Sequence, residues 1–142
     1  MTGKFFITAD YLKQLGPCAA GYKAFREEFP DGAEYQVILD RCAEKGREDY
    51  GTWLLAKVGP TSDARIFEEQ VNITTSIIFA GSVEFKAGVI LKGLFAGGGI
   101  KAGGGIEAGW GIKAGEGIKA GWGIKAGGGI EAGWGIKAGW GI

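Results

Sequence analysis

Few residues of this 142-residue chain could perform catalysis, because it contains no histidine. Histidine is the commonest general base and metal ligand in proteins, so both kinds of site lack their usual side chain. Cys18 has no histidine to activate its thiol, and we expect it to lie on the apolar face of a helix, packed in the core of the protein. Three pairs of adjacent carboxylates are also present: Glu27-Glu28, Glu48-Asp49 and Glu68-Glu69.

These carboxylate pairs do not resemble a general acid and base. Acid–base catalysis needs separated, partly buried groups whose environments push their pKa values apart. The neighbouring residues Arg26, Arg47 and Gln70 instead indicate solvated helix faces. No Asp-x-Asp-x-Asp spacing gathers carboxylates around a cation. The sequence therefore predicts no catalytic residue and no metal site.

The segment 115–120, Gly-Glu-Gly-Ile-Lys-Ala, matches a relaxed dinucleotide-binding fingerprint. A true fingerprint occurs once, between a strand and a helix. Here the pattern recurs every six residues and no helix follows it. We therefore expect no cofactor.

That recurrence is an internal repeat, Ile-(Lys/Glu)-Ala-Gly-x-Gly, which runs from Ile100 to Ile142. Its glycine content excludes a helix. Ile-Lys-Ala predicts a three-residue strand with Ile and Ala pointing inward and the charge outward. We expect Gly-x-Gly to form a corner at which the glycines adopt backbone conformations that other residues resist. Short strands and corners at a fixed period are typical of a β-solenoid.

The number of repeats in each coil is open between two and three. A coil of twelve residues stacks Trp110, Trp122 and Trp134 in one column and alternates Glu107, Lys119 and Glu131 in another, both favourable arrangements. It also places the four lysines of the first lysine column together: Lys101, Lys113, Lys125 and Lys137. A coil of eighteen residues pairs Glu107 with Lys125 and Lys113 with Glu131 but scatters the tryptophans. We favour twelve.

The first half of the chain has a different composition. Residues 1–70 carry nine basic and twelve acidic residues, whereas residues 71–142 carry seven lysines, four glutamates and 22 of the 29 glycines. Apolar spacing predicts four short helices between Thr8, which can cap the first, and Gly59, and the second carries one apolar stripe: Cys18, Tyr22, Phe25 and Phe29. Together they form too thin a core to be stable without the other half. The predicted fold is α+β, with a helical head (1–60), a linker (61–70) and a glycine-rich β-solenoid (71–142).

The head resembles a short helical module found at the start of many phage and prophage proteins, some of which continue into repeat tails. The resemblance rests on Leu15-Gly16-Pro17-Cys18, on Phe25 with Phe29-Pro30-Asp31-Gly32, and on Trp53-Leu54-Leu55. It implies phage origin and carries no activity. Small phage proteins without catalytic residues are often inhibitors of a host defence complex, anti-CRISPR proteins among them.

The exposed aromatic and lysine residues of the repeats are the candidate binding residues. Tryptophans at glycine-flanked corners have no core to bury them, and tryptophan is a favoured interface anchor. The set comprises Trp110, Trp122, Trp134, Trp140, Lys101, Lys113, Lys125 and Lys137. A stacked ladder that only stiffens the corner is the alternative interpretation of these tryptophans.

We therefore expect a non-enzymatic protein-binding module that inhibits a host complex by steric contact. The alternative is a structural repeat protein that adheres to carbohydrate or nucleic acid through its Trp/Lys face, although the zero net charge does not favour nucleic acid. No signal sequence or spanning segment is evident, so we expect a cytoplasmic protein without a membrane partner. The uncapped pattern at Trp140-Gly141-Ile142 further predicts a homodimer through residues 130–142.

Overall fold

The computed structural model describes residues 5–142 and begins with a helical head. In chain order, the elements of the head are β1 (Phe6–Ile7), α1 (Ala9–Gln14), α2 (Ala19–Glu28), β2 (Ala33–Glu34), α3 (Tyr35–Glu44) and α4 (Glu48–Val58). The two short strands pair with each other in antiparallel fashion. The Thr8 hydroxyl caps α1 as predicted, because it accepts a hydrogen bond from the Tyr11 N–H at 3.1 Å. The four helices predicted from the apolar spacing are confirmed.

Cys18 does not belong to the apolar core expected for α2. It is exposed and occupies the N-cap position, where its Sγ accepts a hydrogen bond from the Gly21 N–H at 3.3 Å. Phe25 of the same predicted stripe is buried, whereas Tyr22 is only partly buried. The prediction for Cys18 was wrong because an N-cap residue has extended backbone, so its side chain turns toward the first helical turn rather than continuing the helix face.

The rest of the chain winds into a β-solenoid, which confirms the α+β fold. Its strands are β3 (Ala64–Phe67), β4 (Val71–Asn72), β5 (Ile77–Phe79), β6 (Ser82–Phe85), β7 (Val89–Leu91), β8 (Leu94–Ala96), β9 (Ile100–Ala102), β10 (Ile106–Ala108), β11 (Gly111–Ala114), β12 (Ile118–Ala120), β13 (Ile124–Ala126), β14 (Gly129–Ala132) and β15 (Ile136–Ala138). Strand β3 lies inside the segment 61–70 and pairs with β6.

Each coil contributes one strand to each of three parallel sheets. The strand orders are β3-β6-β9-β12-β15, β4-β7-β10-β13 and β5-β8-β11-β14. Ile and Ala of the repeats point inward as predicted, and Ile100 to Ile124 are at most 2% exposed at every repeat. Fully burying such a side chain contributes about 1.5–3 kcal/mol, so these isoleucines stabilise the solenoid at every repeat. Earlier coils use larger side chains, with the rings of Phe67 and Phe85 stacked at 5.1 Å.

The register corrects the predicted coil length. Ile106 pairs with Ile124 and Ile118 pairs with Ile136, so one coil of the regular repeats spans eighteen residues. The predicted Trp110–Trp122–Trp134 column, the alternating Glu107–Lys119–Glu131 column and the four-lysine column are therefore absent from the described chain. Three sheets need a shallower bend at each corner than two sheets would, and three inward isoleucines then close the core at the centre of the coil.

The corner glycines are required for space rather than for a special conformation, which corrects a second expectation. Among the described glycines, only Gly16, Gly32, Gly46 and Gly59 of the head have positive φ. At the first glycine of most corners, by contrast, a Cβ would overlap a backbone carbonyl oxygen of the preceding coil, as at Gly121 against Gly103. The Gly121 N–H meanwhile donates to the Ala102 carbonyl at 2.9 Å. Adjacent coils approach so closely at these positions that only glycine fits.

The head packs against the first coils of the solenoid through α3. The Gln36 side-chain amide donates to the Ile78 carbonyl at 2.8 Å and accepts from the Ala80 N–H at 2.9 Å. Ile78 and Ala80 are completely buried within the apolar core of the head. One solenoid strand thus belongs to both cores, as the thin core of the head led us to expect.

A buried ion pair also joins the two halves. Glu48 at the start of α4 is 4% exposed, so its assignment to a solvated helix face was wrong. Its Oε2 accepts hydrogen bonds from the Ser76 hydroxyl at 2.8 Å and from the Lys92 ammonium at 3.0 Å. Burial raises the pKa of Glu48. Hydrogen bonds from its own backbone N–H, from Lys92 and from Ser76 lower the pKa by more than burial raises it, so the pKa lies below the ordinary value of 4.5. The carboxylate therefore stays charged inside the junction.

Candidate partner-binding face

On one sheet of the solenoid the register brings three lysines together in a column. Lys101, Lys119 and Lys137 are central residues of β9, β12 and β15, and the register places them directly beside one another. Adjacent strands lie about 4.8 Å apart, so three ammonium-bearing side chains leave the sheet in a single row. We call this outward surface the lysine face. None of its three lysines forms an ion pair with a carboxylate of residues 5–142.

The other two sheets have no such excess of charge in the same repeats. Glu107 lies beside Lys125 on one sheet, and Lys113 lies beside Glu131 on the other. Opposite charges at directly adjacent positions are favourable, whereas like charges are destabilising. The repeat thus balances charge on two of its three sheets and leaves positive charge on the third. A cost to stability that is confined to one face is the pattern expected of a binding surface.

Exposed tryptophans border the lysine face on both sides. The corner after β12 and β15 carries Trp122 and Trp140, whose rings stack with centroids 5.2 Å apart and planes inclined by 4°. The corner before the same strands carries Glu116 and Trp134. The exposed fractions are 57% for Trp122, 79% for Trp140 and 81% for Trp134. Aromatic rings exposed to this extent around a cationic strip provide both apolar contact area and charge.

A shallow groove of about 420 Å³ separates the lysine column from the Trp134 corner. The residues that line it include Lys101, Lys119, Glu116 and Trp134. Glu84 lies at the head end of the groove, where it is paired with Lys86 at 3.2 Å. Glu84 also continues the register of the lysine column, because it lies directly beside Lys101 on the neighbouring strand.

Five of the eight predicted binding residues lie at this face. They are Lys101, Lys137, Trp122, Trp134 and Trp140. Lys113 and Lys125 lie on the two charge-balanced sheets instead. Trp110 lies at the third corner, where the Lys92 ammonium is 4.0 Å from its ring centroid. Because Lys92 also holds Glu48, Trp110 is connected to the head junction rather than to the lysine face.

Lys119 is the member of the face that the sequence interpretation missed. It was placed between two glutamates by the twelve-residue coil, whereas the structure places it between Lys101 and Lys137. The signal was available, because an eighteen-residue period pairs the glutamates of the other columns with lysines. That pattern received less weight than the apparent tryptophan ladder.

Comparison with known proteins concerns the head. Residues 1–58 match the family model of the YdhT N-terminal domain. No curated protein and no solved structure matches the chain. Among residues 5–142, no helix has the length and apolar composition needed to cross a membrane. The helical head is thus similar to the YdhT N-terminal domain, and the lysine face lies in the solenoid outside the matched range.

Proposed function

We propose that this chain is a non-enzymatic binding protein that docks an acidic surface of a partner protein on its lysine face. The observation that carries the proposal is the in-register row of Lys101, Lys119 and Lys137 beside two sheets on which charges alternate. Like charges in adjacent strands lower stability unless a partner neutralises them. An acidic partner would remove that repulsion on binding, and such complementarity increases the association rate.

The dimensions of the face favour a protein over a nucleic acid. The lysine row covers three strands, which is a span of about 10 Å, and a nucleic-acid track normally needs a longer basic path along the phosphates. Because the rings of Trp122 and Trp140 stack on each other, one face of each ring is already covered and cannot stack with a nucleic-acid base. Trp134 on the opposite edge suits an anchor that inserts into a pocket of the partner. Docking by this face requires no catalytic residue in the chain.

An inhibitory role is the finer proposal, and the resemblance of the head to phage and prophage modules supports it. A protein that occupies an acidic surface of a host defence complex would block that surface by steric contact. The head and the lysine face are then separate parts of one inhibitor, because the face belongs to the last coils and the head packs on the first. The cytoplasm of the host is the corresponding compartment.

A charge-reversal pair tests the docking proposal. Lys119→Glu reverses the centre of the lysine face, and Lys125→Glu makes the same change in charge on a different sheet. We expect tagged wild-type chain and Lys125→Glu to retain the same protein from nuclease-treated bacterial lysate, and Lys119→Glu to lose it. Quantitative mass spectrometry of the retained proteins measures the difference. Equal retention by all three chains would contradict docking through this face.

Adhesion to a glycan through the tryptophans is the second candidate. The observation that favours it is the exposure of Trp134 and Trp140, each close to four-fifths of the side chain. Planar exposed rings are suitable for sugar or base stacking. Binding of wild-type chain to a glycan array, lost in Trp140→Ala and kept in Lys119→Glu, would favour this function over protein docking.

Self-association through residues 130–142 stays a prediction. Ile136 is partly exposed on the last strand, so Ile136→Lys introduces charge at this end of the solenoid. A dimeric mass for wild-type chain and a monomeric mass for Ile136→Lys in light scattering would support the homodimer.

A further inference from the structure

The head encloses a second site that is independent of the lysine face. A cavity of about 290 Å³ lies between α2, α3 and α4. Phe25, Ile38 and Leu54 form its buried apolar floor, and the half-buried rings of Tyr50 and Trp53 line it as well. Cavities that bind small molecules start near about 300 Å³ and are mostly apolar with few polar groups. This cavity therefore has the size and lining for a ligand of one to three rings.

The cations that line the cavity are paired with carboxylates except at one residue. Arg41 and Lys45 line it, but both donate hydrogen bonds to Glu28. Those bonds hold the pKa of Glu28 below its ordinary value, and the bond from Lys45 has a larger effect than the bond from Arg41. Arg41 also pairs with Glu44 at 3.5 Å, so two carboxylates balance these two cations and neither cation is free for a ligand.

Arg47 is the exception. Its half-buried side chain lines the cavity, and it forms no ion pair with any carboxylate in the described part of the chain. Asp49 lies two residues later at the start of α4 and lines the same cavity, yet it is exposed and unpaired with Arg47. Burial raises the pKa of the neighbouring Cys42 thiol to about 11, and the Arg47 guanidinium offsets part of that rise. A guanidinium beside an apolar cavity, without a carboxylate partner, is the usual receptor for an anionic group.

We propose that this cavity binds a small molecule with an apolar body of one to three rings and a single anionic group, which contacts Arg47. Aromatic carboxylates and sulfonates belong to this class. The apolar floor takes the rings and the guanidinium takes the anion, while the Arg41–Glu28–Lys45 cluster lines the cavity with its charges already paired. The exposed Cys18 thiol also lines the cavity, so it reports on occupancy.

Two dyes that differ by one charge test the proposal on the full chain. 8-Anilinonaphthalene-1-sulfonate has the apolar body and a sulfonate, and N-phenyl-1-naphthylamine has the same body without the anion. We expect the folded wild-type chain to bind one molecule of either dye, measured by fluorescence titration at a temperature well below cooperative unfolding. Arg47→Gln should weaken binding of the sulfonate about tenfold and leave the neutral dye unchanged. Indole-3-acetate should displace the sulfonate dye from wild-type chain.

Control variants make the outcome decisive. Arg26→Gln removes an arginine of the head that does not line the cavity, and it should change neither affinity. Ala24→Phe fills the cavity and should weaken both dyes, while saturating dye should slow thiol labelling at Cys18. No saturable binding, an equal loss of both dyes in Arg47→Gln, or a loss of binding in Trp122→Ala would overturn the proposal. None of these outcomes depends on whether the lysine face binds a partner.

Discussion

The indole ring of Trp140 lies flat on that of Trp122, with ring centroids 5.2 Å apart. Eighteen residues separate the two tryptophans, which is one coil of the solenoid. The stack is limited to this pair, because Gly104 precedes Trp122 at the same corner one coil earlier. The same corner borders the row of Lys101, Lys119 and Lys137, so one register decides both the aromatic stack and the charge of the face beside it.

We expect the Trp122–Trp140 pair to contribute little to folding. Stacked aromatic pairs are worth about 0.5–1.5 kcal/mol beyond their buried area, so each single change to Ala should lower the free energy of unfolding only modestly. Trp53→Ala should cost about 3 kcal/mol, since Trp53 packs against the core of the head. Urea denaturation of the two single variants and the double variant gives the coupling energy directly. Global unfolding in Trp122→Ala would instead indicate that the stack is structural.

Lys119→Glu should stabilise the protein while it abolishes docking. The change places a carboxylate between Lys101 and Lys137 and turns a like-charged row into an alternating one, worth about 0.5 kcal/mol at low salt. Lys125→Glu is the matched control, because it places a second carboxylate beside Glu107 and should lower stability. Thermal melts of both variants at low and high salt measure the effect. Destabilisation by both variants would show that the lysine row has no repulsion to relieve.

Glycine positions within one corner should differ sharply in tolerance. A Cβ at Gly121 would overlap the Gly103 carbonyl, so Gly121→Ala must separate two coils and should cost about 2–3 kcal/mol. At Gly117 the nearest atom to a Cβ is the Gly135 oxygen at 3.5 Å, which is ordinary contact. Gly117→Ala should therefore be neutral or stabilising by about 0.5 kcal/mol, because alanine restricts the unfolded chain. Denaturation midpoints of the two variants test this contrast, and equal losses would contradict it.

Local patterns predicted the elements of this fold, but not their mutual arrangement. The period of six and the inward Ile and Ala follow from side-chain alternation, which any strand must obey, so the solenoid was recognisable without its coil length. Coil length depends on how sharply each corner bends, and the corner glycines permit more than one bend. Lys119 was consequently assigned a wrong neighbour although its own strand was predicted correctly.

Long-range contacts set the remaining limit. Glu48 lies in a sequence of charged residues that is typical of a solvated helix, and its burial depends on Ser76 and Lys92, which lie far along the chain. The head cavity likewise needs three helices to enclose it, and the sequence shows only their separate apolar faces. Arg47 gave no signal at all, because an unpaired guanidinium is recognised only after its surroundings are known.

Acid should weaken the junction between head and solenoid through Glu48. The folded pKa of Glu48 lies below 4.5, the value it would have in the unfolded chain, so its contribution is fully present above about pH 4.5 and is lost as the pH falls through the folded pKa. Glu48→Gln should cost about 1–3 kcal/mol near neutral pH, since it leaves Lys92 without its carboxylate. That difference from wild type should shrink in acid, because a protonated Glu48 offers Lys92 no more charge than glutamine does.

Glu28→Gln provides the comparison for this pH dependence. The pKa of Glu28 is also lowered, by the hydrogen bonds from Lys45 and Arg41, but this carboxylate is more accessible to solvent than that of Glu48. High salt should therefore reduce the pH-dependent stability that Glu28 contributes. The pH-dependent stability that Glu48 contributes should mostly remain, because Glu48 is more buried. Urea unfolding followed by circular dichroism, at neutral and acid pH and at two salt concentrations, separates the two. If the difference between wild type and Glu48→Gln stayed constant with pH, Glu48 would not be charged in the folded protein, and the Lys92 contact would not be an ion pair.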